Sequence, residues 1–143
     1  MALLNYSTSI EAVKTVGEIQ GILAGHGARS ILIDYAKDGS VEALAFKIET
    51  QQGTRGFKLP IDPDSVLKVL TKQNVPKVYQ NKAQAIRVAW RIVKTWVAAQ
   101  LAFQETEMVN MEQVFLGYMI NRSGKSLYEA MVDQNFQITQ GKE

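Results

Sequence analysis

Three basic residues with helical spacing form the group in this sequence that is best suited to binding a ligand. Arg87, Arg91 and Lys94 stand at i, i+4 and i+7, so they line one face of a helix. Tyr79 and Lys82 lie just before that face. Arginine binds phosphate bidentately and aromatic rings stack on bases. These five residues therefore predict a binding site for a nucleotide or a nucleic acid.

The distribution of charge supports this prediction. The formal net charge of the 143 residues is only +2, yet residues 72–95 hold six Lys/Arg and no acidic residue. Residues 1–71 are nearly neutral and residues 96–143 are acidic. A pI near 8.8 falls short of the strongly basic balance of proteins that bind long duplex DNA, which favours a small ligand. The alternative is a solvated helix face, or ion pairs with carboxylates of the same domain.

Two glycine-containing segments match phosphate-binding loops only in part. Gly25-His26-Gly27 begins a G-x-G-x-x-G pattern, but Ser30 replaces the third glycine and a predicted helix precedes the segment. Gly124-Lys125-Ser126 matches the end of a P-loop, but Met119 stands in the place of its first glycine. We interpret the second segment as a turn between helices, with Ser126 as an N-cap.

Residue types that carry catalysis are scarce. The chain has no cysteine, which excludes disulfides and thiolate metal sites and suits a reducing cytoplasm. Its one histidine, His26, is expected to be an exposed loop residue, because a histidine between two glycines is poorly oriented for general-base work. The acidic pairs Asp62/Asp64 and Glu105/Glu107 are not spaced as an acid–base couple. We expect no catalytic residue, no metal, no cofactor, and neither a signal peptide nor a membrane segment.

The first sixty residues predict a helix and a small antiparallel sheet. Thr8 and Glu11 form a capping box, and apolar positions at helical spacing run from there to the glycines at 25 and 27. Gly17 and Gly21 share a face of this helix, which suggests that another element approaches it closely. Alternating strand-like runs follow around residues 31–35, 44–48 and 55–59, and a four-stranded alternative adds residues 3–7 as an edge strand.

The residues after Pro60 predict a helical half. Its expected helices run over 63–72, from a cap at Asn81 to about 107, from 110 to 119, and from a Ser126/Glu129 capping box to about 132. The second of these is apolar over most of its circumference, so it is either the central helix of the domain or also part of an oligomer contact. Trp90 and Trp96 are interpreted as core, whereas Phe115, Tyr118 and Tyr128 are either core or a partner surface.

The predicted fold class is therefore α+β. An N-terminal helix and a small three- or four-stranded antiparallel sheet are followed by a C-terminal helical half with one long central helix. We predict a single domain over 1–143, with a sheet part at 1–61, a helical part at 62–136 and a frayed tail at 137–143.

Three sequence runs, at 14–20, 88–96 and 126–131, resemble small proteins encoded in bacteriophages and prophages. The resemblance carries no catalytic motif, so no site residue is transferred from it. It implies a bacterial cytoplasmic setting and accessory work for a phage, such as countering antiviral defence.

The sequence thus predicts a non-enzymatic, phage-type binding protein that forms a homo-oligomer and binds a signalling nucleotide or nucleic acid. The alternative is a protein–protein interaction module that inhibits or adapts a host or phage complex.

Overall fold

The computed structural model describes residues 2–138, which form five α-helices and a four-stranded antiparallel sheet. The helices are α1 (Ala12–Gly25), α2 (Pro63–Lys72), α3 (Lys82–Glu105), α4 (Met111–Val114) and α5 (Leu127–Asp133). The strands are β1 (Ser30–Tyr35), β2 (Val41–Thr50), β3 (Gly53–Lys58) and β4 (Met119–Ile120). The α+β class is confirmed, including the long helix in the C-terminal half. The predicted tail lies outside the described residues from position 139 onward.

The sheet has the order β1-β2-β3-β4, so that β1 is an edge strand. Residues Ser30, Lys47, Gly56 and Ile120 lie side by side across the four strands. The prediction of an edge strand at residues 3–7 is wrong, because that segment forms a turn and the fourth strand is β4.

The start of α1 also differs from the prediction. The helix begins at Ala12, with no side-chain cap, and the Thr8 hydroxyl accepts a hydrogen bond from the Ile10 N–H instead of capping the helix. The cause lies on α3, where the Gln84 side-chain amide donates to the backbone carbonyls of Tyr6 and Thr8. These hydrogen bonds hold the N-terminal segment against α3. Because the segment keeps this conformation, α1 does not extend back to Thr8.

The helical half has the predicted caps, including Asn110 with Gln113 at the start of α4, but one helix is shorter than predicted. Asp62, Asn81 and Ser126 accept the expected hydrogen bonds at the starts of α2, α3 and α5. The helix predicted over 110–119, however, ends at Val114 and is followed by a 3-10 turn and by β4. The chain turns back here because Phe115 is fully buried in the core, which brings the next residues to the edge of β3.

The main core lies between the sheet and the pair formed by α1 and α3. Its largest buried side chains are Trp90, Phe46, Phe57 and Phe115. Trp90 also donates its indole N–H to the Val41 carbonyl at 3.4 Å, which confirms its interpretation as a core residue. A second, smaller cluster forms where α2 packs on the start of α3. No helix within residues 2–138 has both the length and the apolarity needed to cross a membrane.

Candidate functional site

The basic face predicted on α3 is in contact with acidic and polar groups of the same chain. Nε and Nη2 of Arg87 donate to Gln84 Oε1 at 3.0 and 2.7 Å, and Nη1 lies 3.8 Å from Glu11 Oε1. Nη1 of Arg91 donates to Glu18 Oε2 at 2.9 Å, and the Arg91 side chain is only 16% exposed. Both arginines therefore join α3 to α1 and to the segment before it.

The other predicted site residues have different surroundings. Lys82 Nζ donates to Asp64 Oδ1 at 2.6 Å, and this hydrogen bond raises the pKa of Lys82. The ring of Tyr79 packs edge-to-face against Tyr6, with centroids 5.7 Å apart. Lys94 is half-buried and forms no ion pair within residues 2–138.

The structure thus gives three of the four predicted cations a carboxylate of the same chain. This arrangement matches the alternative that the sequence left open, in which the cations pair within the domain. A carboxylate beside a guanidinium occupies donors that a phosphate would need and cancels much of the attraction for an anion. Binding at this face stays a prediction.

A second group of cations lies in a cleft between β3 and α5, which we call the β3–α5 cleft. Arg55 and Arg122 line this cleft together with Thr54 and Asn121, and its volume is about 540 Å³. Among residues 2–138, no acidic side chain contributes to its wall. Within residues 2–138, neither arginine forms an ion pair.

The two arginines are positioned by different elements. Arg55 lies on β3 opposite Ile48 of β2, and its Nη1 donates to the neighbouring Thr54 carbonyl at 3.0 Å. Arg122 lies in the tight loop between β4 and α5, where Asn121 Oδ1 accepts hydrogen bonds from Ser123 and Lys125. This closed loop holds the backbone of Arg122 beside the strand that carries Arg55. Such a pair of guanidinium groups can hold a phosphate or a carboxylate.

An apolar depression on the face of the sheet away from the core adjoins this cleft, and we call it the outer groove. Leu32, Ala45, Gly56 and Ile120 form it, with Lys47 at its side, and its volume is about 420 Å³. The groove and the β3–α5 cleft share Gly56 and Ile120. Leu32 is 63% exposed, so apolar surface here faces outward, and no helix of the described residues covers it.

The expectation of an exposed His26 is wrong, because its side chain is only 22% exposed. Its Nδ1 donates to the Ile22 carbonyl at 2.7 Å, and its Nε2 donates to Glu105 Oε1 at 2.6 Å. Hydrogen bonds to the Glu105 carboxylate and the Ile22 carbonyl raise the pKa of His26 above its ordinary value of 6.5. When protonated, the ring donates from both nitrogens and fastens the end of α1 to the end of α3.

The structure also shows the surroundings of the other residues that the sequence analysis singled out. Trp96 packs edge-to-face on both Phe115 and Tyr118, whereas Tyr128 on α5 is more than half exposed. Lys125 pairs with Asp133, and the turn that carries Lys125 lies between β4 and α5. The prediction of a turn between two helices is therefore wrong, whereas the Ser126 cap of α5 is confirmed. No metal-binding group of histidine, cysteine and acidic residues occurs among the described residues.

Sequence reasoning passed over the β3–α5 cleft because its two arginines are far apart along the chain. Only the pairing of β3 with β4 brings them together, and a two-residue strand leaves almost no alternating pattern. The sequence does offer one local signal near the cleft, which is Gly56 within a strand-like run. A glycine at such a position often marks a place where a ligand approaches the backbone.

No protein-family model, no curated protein and no solved structure matches the chain. Function is therefore inferred from the side chains and their surroundings.

Proposed function

We propose that this protein is a non-enzymatic binding protein that holds an anionic ligand in the β3–α5 cleft. The observation that carries the proposal is the contrast between two sets of cations. Arg55 and Arg122 line a cleft to whose wall the described part of the chain contributes no carboxylate. Arg87 and Arg91, by contrast, contact carboxylates of α1 and its preceding segment. Guanidinium groups without such partners keep their bidentate donors for a phosphate or carboxylate from outside.

The resemblance to bacteriophage and prophage proteins supplies the biological setting of this proposal. In that setting the protein works in the cytoplasm of a bacterial host, as a homo-oligomer, and its ligand is a signalling nucleotide or a nucleic acid. Sequestering such a ligand would counter an antiviral defence that depends on it. A cleft of about 540 Å³ has a volume typical of sites that take small molecules.

A protein–protein interaction module is the second candidate, because apolar side chains are exposed on two surfaces. Leu32 faces outward from the sheet, and Tyr128 and Phe136 form an exposed aromatic pair at α5. Exposed apolar surface of this kind marks contacts with partner proteins when it is contiguous.

The test compares two double variants in direct binding measurements. The probes are a nucleoside triphosphate, a cyclic dinucleotide and a ten-residue thymidylate strand, each titrated by calorimetry at low and high salt. We expect salt-sensitive binding of at least one probe, and we expect Arg55→Gln with Arg122→Gln to weaken it more than about tenfold, since each charged hydrogen bond contributes more than 1 kcal/mol.

The comparison variant is Arg87→Gln with Arg91→Gln, which removes the sequence-predicted cations. We expect it to lower the free energy of unfolding while the folded protein retains its affinity. Loss of binding in this variant alone would place the ligand on the α3 face and contradict the cleft. Failure of every probe to bind the wild type would favour the interaction module.

A further inference from the structure

Strand β1 has one side to which no strand of the described chain is paired. It lies at the end of the strand order, and among residues 2–138 only β2 pairs with it. The edge of a sheet presents backbone N–H and C=O groups that can form hydrogen bonds with a further strand. The side of β1 away from β2 is therefore open to pairing with another chain.

The edge of β1 lacks most of the features that protect edge strands from such pairing, which include lysine, proline and β-bulges. Its sequence is Ser-Ile-Leu-Ile-Asp-Tyr, without lysine or proline. The irregularity in its pairing with β2 lies between Asp34 and Tyr35, at the end of the strand. Residues 30–34 therefore form a regular edge with three apolar side chains in its centre.

The side chains of β1 alternate between the two faces of the sheet. Ile31 and Ile33 pack against the main core and are only partly buried. Ser30, Leu32 and Asp34 lie on the outer face, where Leu32 is 63% exposed. A strand added at this edge would remove apolar surface from water on both faces, which stabilises the contact.

The sequence of β1 is complementary to itself when two copies run antiparallel about a two-fold axis. Residues directly opposite in an antiparallel pair lie on the same face, so the axis passes through a residue position. An axis at Leu32 places Leu32 against its own copy and Ile31 against Ile33. It also places Ser30 opposite Asp34, so the serine hydroxyl can donate to the carboxylate.

The neighbouring registers lack this complementarity. An axis at Ile31 places Ser30 opposite Leu32 of the second copy, and an axis at Ile33 places Leu32 opposite Asp34. Both registers put a polar side chain against leucine, and neither gives the Asp34 carboxylate a donor on the opposite residue. Because cross-strand pairs stabilise sheets according to such matches, the axis at Leu32 is favoured.

We propose that two copies of this chain pair through their β1 edges, antiparallel about a two-fold axis at Leu32, and form one eight-stranded sheet. A two-fold contact of this kind is closed, so it leaves no β1 edge for further chains. The proposal deepens the proposed function by giving its homo-oligomer an interface. It does not use the β3–α5 cleft, which lies toward the other side of the sheet, so the two proposals can fail separately.

The test places charges at the proposed axis and measures the mass of the full-length protein by sedimentation over a wide range of concentrations. We expect the wild type to have twice the mass of one 15.9 kDa chain. Leu32→Lys and Leu32→Glu each oppose two like charges, so each should raise the dissociation constant of the dimer at least about tenfold. An equal mixture of the two variants should dimerise again, because the axis then brings opposite charges together.

A second substitution and a control complete the series. Ser30→Asp, which opposes two carboxylates across the same pair, should also weaken the dimer. Val13→Lys on α1 is the matched control, because Val13 is 68% exposed and lies on another element, and it should leave the dimer intact. Circular dichroism checks the fold of each variant, which we expect to be retained because the substituted side chains are exposed.

Several results would overturn the inference. A wild type with the mass of one chain at every concentration contradicts the dimer, and a dimer that survives both Leu32 substitutions contradicts the β1 interface. Loss of the dimer in Val13→Lys alone would place the interface on α1. Failure of the mixed variants to associate contradicts the axis at Leu32.

The same proteins separate this inference from the proposed function. Arg55→Gln with Arg122→Gln should remain dimeric, whereas Leu32→Lys should keep the wild-type affinity for the anionic probes. A dimer that responds to the Leu32 substitutions as expected but binds no anionic probe would contradict the proposed ligand site and support the interface.

Discussion

Gln84 is a buried polar residue on which the N-terminal segment depends. Its side chain is almost fully buried, its amide N–H groups donate to Tyr6 and Thr8, and its oxygen accepts from Arg87. Gln84→Ala leaves those carbonyls and the guanidinium without their partner, so we expect a loss of about 2–3 kcal/mol in the free energy of unfolding. Urea denaturation measures it.

The exposed Thr95 on the same helix provides the control for this substitution. Thr95→Ala should change the free energy of unfolding by less than about 0.5 kcal/mol. Equal effects of the two variants would show that Gln84 contributes no specific contact. Limited proteolysis should also cleave the first ten residues faster in Gln84→Ala.

His26 predicts a dependence of stability on pH. Its folded-state pKa is raised, chiefly by the hydrogen bond to Glu105. The stabilisation is therefore fully present below the unfolded pKa of about 6.5 and is lost as the pH rises through the folded pKa. Because Glu105 is well exposed, we expect a change below about 1 kcal/mol. Denaturation at pH 5.5 and 8.5 should show lower stability at the higher pH.

Glu105→Gln separates this effect from other titrating groups. The variant removes the negative charge but keeps a side-chain oxygen that can accept from the ring. The difference in stability between the two pH values should shrink in the variant, and an unchanged difference would assign the pH dependence to other residues.

At the scale of elements, ion pairs help to fasten α1 to α3. The Arg91–Glu18 pair is the more shielded of the two arginine pairs described above. We expect Arg91→Ala to lower the free energy of unfolding by about 1–2 kcal/mol, because a shielded ion pair with a charged hydrogen bond stabilises the fold more than an exposed ion pair does. A double-mutant cycle with Glu18→Ala should give a positive coupling energy, whereas the same cycle of Lys94→Ala with Glu18→Ala should give none.

The face of α1 that carries Gly17 and Gly21 is open to solvent. A Cβ at either position meets nothing within 4 Å, so the expected close approach of another element does not occur within residues 2–138. Val13 is 68% exposed on the same side. Gly17→Ala and Gly21→Ala should each raise the free energy of unfolding by about 0.5–1 kcal/mol. Thermal denaturation of single and double variants checks this, and a decrease would reveal a neighbour on this face.

Sequence patterns predicted the elements where local signals were complete. Asp62, Asn81 and Ser126 carry their own capping partners within three residues, and the helices they begin were located correctly. The Thr8–Glu11 pair looked equally good but failed, because Gln84 holds the Thr8 carbonyl from another helix. Local chemistry therefore decides a helix start only where no distant residue competes for the same backbone groups.

At the scale of the whole molecule, exposed apolar residues bear on the oligomeric state. Leu32 lies in the apolar outer groove, and Tyr128 and Phe136 form an exposed aromatic pair at α5. We expect association of copies and therefore a native mass above the 15.9 kDa of one chain. Light scattering across a range of concentrations measures it. A constant mass of one chain would contradict the predicted homo-oligomer.

The candidate site could be predicted from the sequence only in part, because its residues are brought together by long-range contacts. The α3 cations were visible because helical spacing is local, but their partners Glu11 and Glu18 belong to another helix and its cap. Arg55 and Arg122 line one cleft only after β4 pairs with β3. Counting charges along the sequence therefore identifies the cations. It does not tell which of these cations have carboxylate partners in the fold and which do not.

The late position of β4 has a consequence for synthesis on the ribosome. Roughly sixty residues separate β3 from β4, and at about 5–20 residues per second they take about 3–12 s to make. During that interval the nascent three-stranded meander has an open β3 edge, which can pair with another chain. Truncated chains that stop before Met119 keep this edge open permanently, so translation stalling in this window would favour aggregation.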